Sequence, residues 1–314
     1  MMRFLAKLSL MILLVWAMDS AFSSFLNTGR PLDYRAFIES KLSYQERPGY
    51  DVIAIGDSHT ADSVNPRTFQ HETGMSLFNF GIYHAAPYEL LFLSRDVLKR
   101  TAKAPKIVLL GTNPVMFMRP KSAGKYTPLF LDSPLLHAQL IWSTEQFSPA
   151  SFSSAGPKLD LLSPAWDHFW QPSAGRPVTR NVAWVDNGYI ANTRADLSKD
   201  SPLPSITPAL QDQMQAFEDT VDLFQAAGVR VMVIHPPMYR DRYLAYTKMA
   251  EFTQFRSFFN DLAARKSVVQ FNADNEIGNA GLNEDHFLNV EHVCLPGAEL
   301  FSQSLAAFVR SLSP

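Results

Sequence analysis

Five apolar segments of strand length constrain the fold of this 314-residue chain more than any other feature. They are YDVIAIG (50–56), MSLFNFG (75–81), PKIVLLG (105–111), VRVMVIHPP (229–237) and KSVVQFN (266–272). Their apolar residues are consecutive and do not alternate with polar ones, a pattern typical of strands buried on both faces of a sheet. The segments therefore predict the strands of one buried central sheet.

Helix-like stretches lie between or after these segments, at 87–103, 208–228 and 295–312. Parallel neighbouring strands need long crossover connections, which helices usually provide. We therefore predict an α/β fold, a three-layer sandwich with a mainly parallel central sheet.

Residues 121–207 interrupt the alternation with a stretch rich in serine, proline and aromatic residues. We interpret it as a large insertion between the third and fourth strands, because long loops in compact domains usually form lids or binding surfaces. Within it, Trp184, Asp186 and Tyr189 suggest a platform for stacking sugars, with simple packing of an aromatic loop as the alternative.

The amino terminus has the pattern of an export signal. Arg3 and Lys7 precede an apolar run from Leu8 to Met18, which suits a signal peptide or an uncleaved signal anchor. We predict a signal segment at 1–27, a linker at 28–49 and the globular domain at 50–314. The protein is then exported, either anchored in the inner membrane facing the periplasm or secreted. A buried amino-terminal helix of a cytosolic protein is the alternative.

Charge and cysteine content exclude several classes of function. Lys and Arg total 28 against 30 Asp and Glu, so no basic field favours nucleic acid. The single cysteine, Cys294, rules out an internal disulfide and a multi-cysteine zinc site. The histidines and carboxylates show no metal-ligand spacing, and we predict neither a metal nor a cofactor.

The GDSH tetrapeptide at the end of the first strand places Ser58 where a nucleophile would be exposed. A helix-capping role for its Asp or Ser is the alternative. A serine hydroxyl needs a base to remove its proton and donors to hold an oxyanion. His292, on a loop before the last helix, is the candidate base, and His286 competes with it.

Small and polar residues at other strand ends are candidates for the oxyanion donors. Gly81 follows the second strand, and Asn113 follows the third. Glycine lets a backbone N–H approach a ligand closely, and an asparagine amide donates from its side chain. Both residue types are also common in turns. Together with the Ser58 N–H, they form the predicted oxyanion hole.

The order of these motifs resembles that of the SGNH/GDSL hydrolase superfamily. The matching residues are Ser58 in GDSH, Gly81 in NFG, Asn113 in GTN, and His292 in NVEH followed by Gly297. Within the superfamily, the chain most resembles the membrane-anchored, envelope-facing subgroup. This subgroup includes the D-alanyl-lipoteichoic-acid protein and exopolysaccharide O-acetyltransferases. The resemblance covers about 50–118 and 209–309 and leaves the insertion unmatched.

The resemblance implies a serine-dependent esterase or O-acyltransferase that acts on acyl esters of a cell-envelope or exported polysaccharide. Ser58 would be its nucleophile and His292 its base. For an acyltransferase, the resemblance also implies a membrane-bound protein that donates the acyl group.

Asn289 stands where the family has the aspartate of its Asp-x-x-His motif. An asparagine orients an imidazole but contributes no charge. Three hypotheses follow: a Ser58–His292 dyad helped by Asn289, an acid recruited from Asp285 or Glu284, or a catalytically silent protein that binds a glycan or scaffolds an envelope complex.

Overall fold

The apolar segments form one parallel sheet in the computed structural model. The structure describes Lys7 and residues 40–46, 49–118 except His84 and Ala102, 182–192, 210–274 and 281–312. The sheet strands are β1 (Val52–Gly56), β2 (Leu77–Gly81), β3 (Ile107–Gly111), β6 (Arg230–His235) and β7 (Val269–Asn272). Their spatial order is β2-β1-β3-β6-β7, with every neighbouring pair parallel. The predicted α/β class is confirmed.

Helices cover both faces of this sheet. They are α1 (Ser58–Ser63), α2 (Pro66–Thr73), α3 (Pro87–Arg100), α4 (Pro114–Met118), α5 (Leu210–Ala226), α6 (Arg240–Tyr246), α7 (Ala250–Lys266) and α8 (Leu295–Ser311). On one face, Ile53 and Val108 belong to the same apolar core as residues of α3, α5 and α7. On the other face, Val52 and Leu109 share a core with α2 and α8. Strand residues therefore alternate between two cores, which gives three layers.

A β-hairpin lies within the predicted insertion. It consists of β4 (Val182–Asp186) and β5 (Tyr189–Asn192), which pair antiparallel. Asn187 and Gly188 connect them with φ angles of 42° and 82°, the left-handed conformations that a tight two-residue hairpin turn requires. The rest of the insertion, 121–181 and 193–207, lies outside the described residues.

The suggested sugar platform is wrong for Tyr189. This side chain is 1% exposed, and it shares an apolar cluster with Phe287 and Val293. Its ring therefore packs inside the protein and is not offered to a sugar. The side chain of Trp184 lies outside the described residues, while Asp186 forms an ion pair with Arg67.

Part of the predicted linker is packed into the domain. Lys41 is 1% exposed, and its ammonium donates hydrogen bonds of 2.6 Å to the carbonyl oxygens of both Asn79 and Gly188. Burial holds the pKa of Lys41 well below its ordinary value. The contact ties residues near the amino terminus to β2 and to the hairpin.

The predicted signal segment at 1–27 lies outside the described residues, apart from Lys7. Within the part of the chain that the structure describes, no helix has the length and apolar character to cross a membrane.

Candidate active site

Ser58 is the first residue of α1, and only Asp57 separates it from the end of β1. Asp57 caps this helix, because its carboxylate accepts a hydrogen bond from the His59 N–H at 3.0 Å. Glycines let the helix lie close to the strand ends: a Cβ on Gly56 or Gly111 would overlap the side chain of Thr60. The capping alternative considered for this turn therefore describes Asp57, while the half-buried Ser58 side chain faces another partner.

That partner is His292, more than two hundred residues along the chain. The Ser58 Oγ and the His292 Nε2 are 2.8 Å apart. On the other side of the ring, His292 Nδ1 lies 3.0 Å from Asn289 Oδ1. The structure thus brings three predicted site residues into one hydrogen-bonded chain.

Hydrogen bonds between the Asn289 side chain and the backbone hold the loop around His292. Asn289 Oδ1 accepts hydrogen bonds from the N–H groups of Glu291, at 2.9 Å, and His292, at 3.0 Å. The His292 carbonyl in turn accepts from the Leu288 N–H at 2.7 Å. Two backbone donors identify the Asn289 atom as the oxygen, so the proton between Asn289 and His292 belongs to Nδ1. The Nε2 lone pair is then directed to Ser58.

We expect the substitution Asn289→Asp to raise the rate of ester hydrolysis about tenfold. An aspartate can accept the same three hydrogen bonds, and its charge would stabilise the imidazolium that forms when Ser58 loses its proton. The acid limb of the pH–rate profile should move to higher pH, since protonated His292 becomes more stable.

Asn283→Asp is the matched control for this prediction. Asn283 caps the turn Glu284–His286 in the same loop region, by accepting from the Asp285 N–H. The control adds the same charge at a residue whose described hydrogen bonds go to His286 and Asp285 and not to His292, so its pH–rate profile should match that of the wild type. Equal rate increases in both variants would contradict the assigned role of Asn289.

The competing candidates in this loop have other contacts. His286 Nδ1 accepts a hydrogen bond from the Asn283 N–H at 2.8 Å. Glu284 accepts from the Tyr239 hydroxyl at 3.1 Å, and Asp285 is exposed, with its backbone oxygen accepting from the thiol of Cys294. His292 is the histidine that contacts Ser58, and its Nδ1 contacts Asn289.

The predicted oxyanion donors differ in whether they already donate a hydrogen bond inside the protein. The Ser58 N–H opens a helix, where the first N–H groups have no partner within the helix. The Gly81 N–H donates to Asn79 Oδ1 at 2.9 Å, and the Asn113 amide donates to Asp57 Oδ2 at 2.7 Å. Two of the three donors thus already have acceptors inside the protein, and the oxyanion role of Gly81 and Asn113 stays a prediction.

His59 is the neighbour that sequence reasoning did not assign to the site. It is 2% exposed, and its ring centroid lies 4.9 Å from that of His292. Its Nδ1 is 3.3 Å from Asp57 Oδ2 and 3.1 Å from the Asn113 amide nitrogen. The only sequence signal for this contact is its position directly after Ser58.

His235, at the end of β6, is a core residue. It is fully buried between the rings of Phe255 and Phe259. Burial lowers the pKa of His235 to about 4, so its imidazole is uncharged at neutral pH. Among the described residues, no cluster of His, Cys, Asp or Glu has the arrangement of a metal site.

Comparisons with known proteins find similarity in structure only. No protein-family model matches the chain, and no curated protein matches its sequence. One solved structure is provisionally described as a platelet activating factor from Streptococcus pneumonia; it is 12% identical, with a TM-score of 0.44 over 93% of this chain and 99% of that one.

Two further structures are an Enterococcus faecalis lipase/acylhydrolase and a family two carbohydrate esterase from Clostridium thermocellum. The first is 11% identical, with a TM-score of 0.37 over 83% of this chain and 95% of that one. The second is 9% identical, with a TM-score of 0.34 over 85% and 65%. Likenesses at this level carry no conclusion about activity.

Proposed function

We propose that the protein is a serine-dependent esterase or O-acyltransferase that acts on acyl esters of a cell-envelope or exported polysaccharide. The observation that carries this proposal is the 2.8 Å contact between Ser58 Oγ and His292 Nε2. A general base must lie within about 2.6–3.2 Å of the group it deprotonates. Asn289 supports the pair by holding the Nδ1 side of the ring.

This geometry supports acyl transfer in two steps. Ser58 Oγ attacks the carbonyl carbon of the ester while His292 Nε2 takes the hydroxyl proton. The negative oxygen of the tetrahedral intermediate is stabilised by N–H donors, of which the Ser58 N–H is the first candidate. The alcohol leaves with the proton from Nε2, and Ser58 holds the acyl group. Water or a sugar hydroxyl then takes that acyl group, with His292 again as the base.

The substrate class and location rest on the sequence. The basic and apolar amino terminus supports export, and the order of motifs around Ser58 and His292 resembles that of envelope-facing acyltransferases. A glycan is therefore the proposed substrate, and an acyltransferase would use a membrane-bound acyl-donor protein as partner.

A fluorophosphonate probe tests the proposal, because it reacts with an activated serine. We expect the full-length wild-type protein to be labelled, with the adduct mapped to Ser58 by peptide mass spectrometry. Ser58→Ala should abolish labelling, whereas Ser63→Ala, on the same helix, should retain it. Folded wild-type protein that stays unlabelled would contradict the proposal and favour a silent glycan-binding or scaffold protein, the function that Asn289 in place of an aspartate supports.

An acceptor experiment separates the two enzyme activities. The protein is incubated with an O-acetylated polysaccharide, with and without an unacetylated acceptor sugar. Release of free acetate under both conditions indicates an esterase, and appearance of acetyl on the acceptor indicates a transferase.

A further inference from the structure

The His59 ring separates the buried carboxylate of Asp57 from His292. Asp57 has no exposed surface, and its Oδ2 is 3.3 Å from Nδ1 of His59, which is 2% exposed. The His59 ring then lies 4.9 Å from the His292 ring, centroid to centroid, at an angle of 34°. Asp57, His59 and His292 therefore form a row of side chains at the end of β1.

Hydrogen-bond donors surround this carboxylate. The His59 N–H donates to Asp57 Oδ1 at 3.0 Å, and the Asn113 amide nitrogen donates to Oδ2 at 2.7 Å. The orientation of the Asn113 amide is defined, because its oxygen accepts from the Met116 N–H at 3.2 Å. Donors that bond a carboxylate favour its ionised form. The donors in this row therefore favour a negative charge on Asp57.

Such a charge would stabilise the histidine of a dyad that has no aspartate. When His292 takes the Ser58 proton it becomes an imidazolium, and the neutral Asn289 oxygen only orients it. Glu291, the acid next in sequence, forms an ion pair with Arg242 at 3.5 Å. Glu284 and Asp285 lie on the exposed part of the loop, where solvent and salt weaken their effect.

We propose that Asp57 supplies, across the neutral His59 ring, the negative charge that stabilises protonated His292. Asp57 and His59 are then positioning residues of the site, and this role rests on the proposed function. No bond forms or breaks at either residue. His59 must stay uncharged, because a proton on it would cancel the charge of Asp57.

The direct test is an NMR titration of the His292 ring in the wild type, in Asp57→Asn and in Asp51→Asn. The Asp57→Asn variant keeps an oxygen that can cap α1 while it removes the charge. Asp51 precedes β1 at the opposite end of the strand and pairs with Lys106, so Asp51→Asn removes a charge remote from the site. We expect the His292 titration midpoint to fall in Asp57→Asn and to stay unchanged in Asp51→Asn.

The same variants give a kinetic readout that a purely structural role would not produce. In Asp57→Asn, the acid limb of the pH–rate profile for p-nitrophenyl acetate should move to lower pH. The rate of hydrolysis should fall about tenfold, because the protonated form of His292 loses stabilisation. An unchanged or raised His292 midpoint in folded Asp57→Asn would overturn the inference. Because NMR needs no turnover, it decides the inference even where Ser58 fails to react and the proposed function is lost.

Salt provides a test in the wild type itself, which covers the case in which Asp57→Asn does not fold. The interactions of exposed charges are largely screened when the salt concentration is raised from about 0.05 to 1 M. A buried charge is screened far less, and the His292 midpoint should hardly move. A clear fall of the His292 midpoint with added salt would assign the charge to exposed acids and overturn the inference.

Discussion

Replacement of His292 by glutamine should slow both fluorophosphonate labelling of Ser58 and ester hydrolysis about 10³- to 10⁴-fold. Glutamine can fill part of the same space and donate a hydrogen bond, but it cannot accept the serine proton. General-base catalysis typically contributes about 10²- to 10⁴-fold, and the base of a Ser–His pair lies at the upper end because the hydroxyl is otherwise almost unreactive. Initial rates of probe labelling and of p-nitrophenyl acetate hydrolysis measure the loss.

His286→Gln is the matched control. His286 is the other histidine of this loop region, and its Nδ1 accepts a hydrogen bond from the Asn283 N–H. Its replacement should leave labelling of Ser58 within a few-fold of the wild-type rate. A larger loss in His286→Gln than in His292→Gln would reverse the assignment of the base.

Replacement of Gly81 by alanine should lower the free energy of unfolding by about 3 kcal/mol, a typical upper value for overpacking of a buried site. A Cβ at this position would lie 2.4 Å from the backbone nitrogen of Ala61 and 2.7 Å from its Cα. Backbone atoms cannot rotate away as a side chain can, so β2 or α1 must shift. Urea unfolding measures the change in stability.

Catalysis should fall in Gly81→Ala as well, because α1 carries Ser58. Gly74→Ala is the control: its φ is 73° and no atom lies within 4 Å of the added Cβ. It should lose only about 1–2 kcal/mol, from left-handed strain, and keep the wild-type rate of ester hydrolysis. Equal losses of stability and of rate in the two variants would contradict the close packing of α1 on β2.

The sheet could be predicted from the sequence because its signal is local. Each strand is a short run of consecutive apolar residues, and burial on both faces of a parallel sheet requires such a run. The same pattern places the carboxyl ends of β1, β2 and β3 at one edge of the sheet, so the sequence predicts that Ser58, Gly81 and Asn113 lie near one another there. His292 is a candidate base because it lies on the loop before α8.

The contacts of those candidates could not be read from the pattern. Asn79, inside β2, looks like one polar residue in an apolar strand, yet its oxygen accepts from the Gly81 N–H and its amide donates to the carbonyl oxygens of α1 residues Thr60 and Ala61. Likewise, Tyr189 looks like a surface aromatic and is buried. Such partners come from different elements, and only packing decides which of them meet.

The sequence by itself determined the strands, their parallel arrangement and the residue types at the strand ends, because apolar runs and crossover helices leave few alternatives. Only the tertiary structure decided that His292, and not His286, contacts Ser58, and that the His59 ring lies between His292 and the buried Asp57, in contact with both. The physical reason is the chain separation: these contacts join residues whose approach is set by how α1 and the loop before α8 pack on the sheet, and no local propensity encodes that packing.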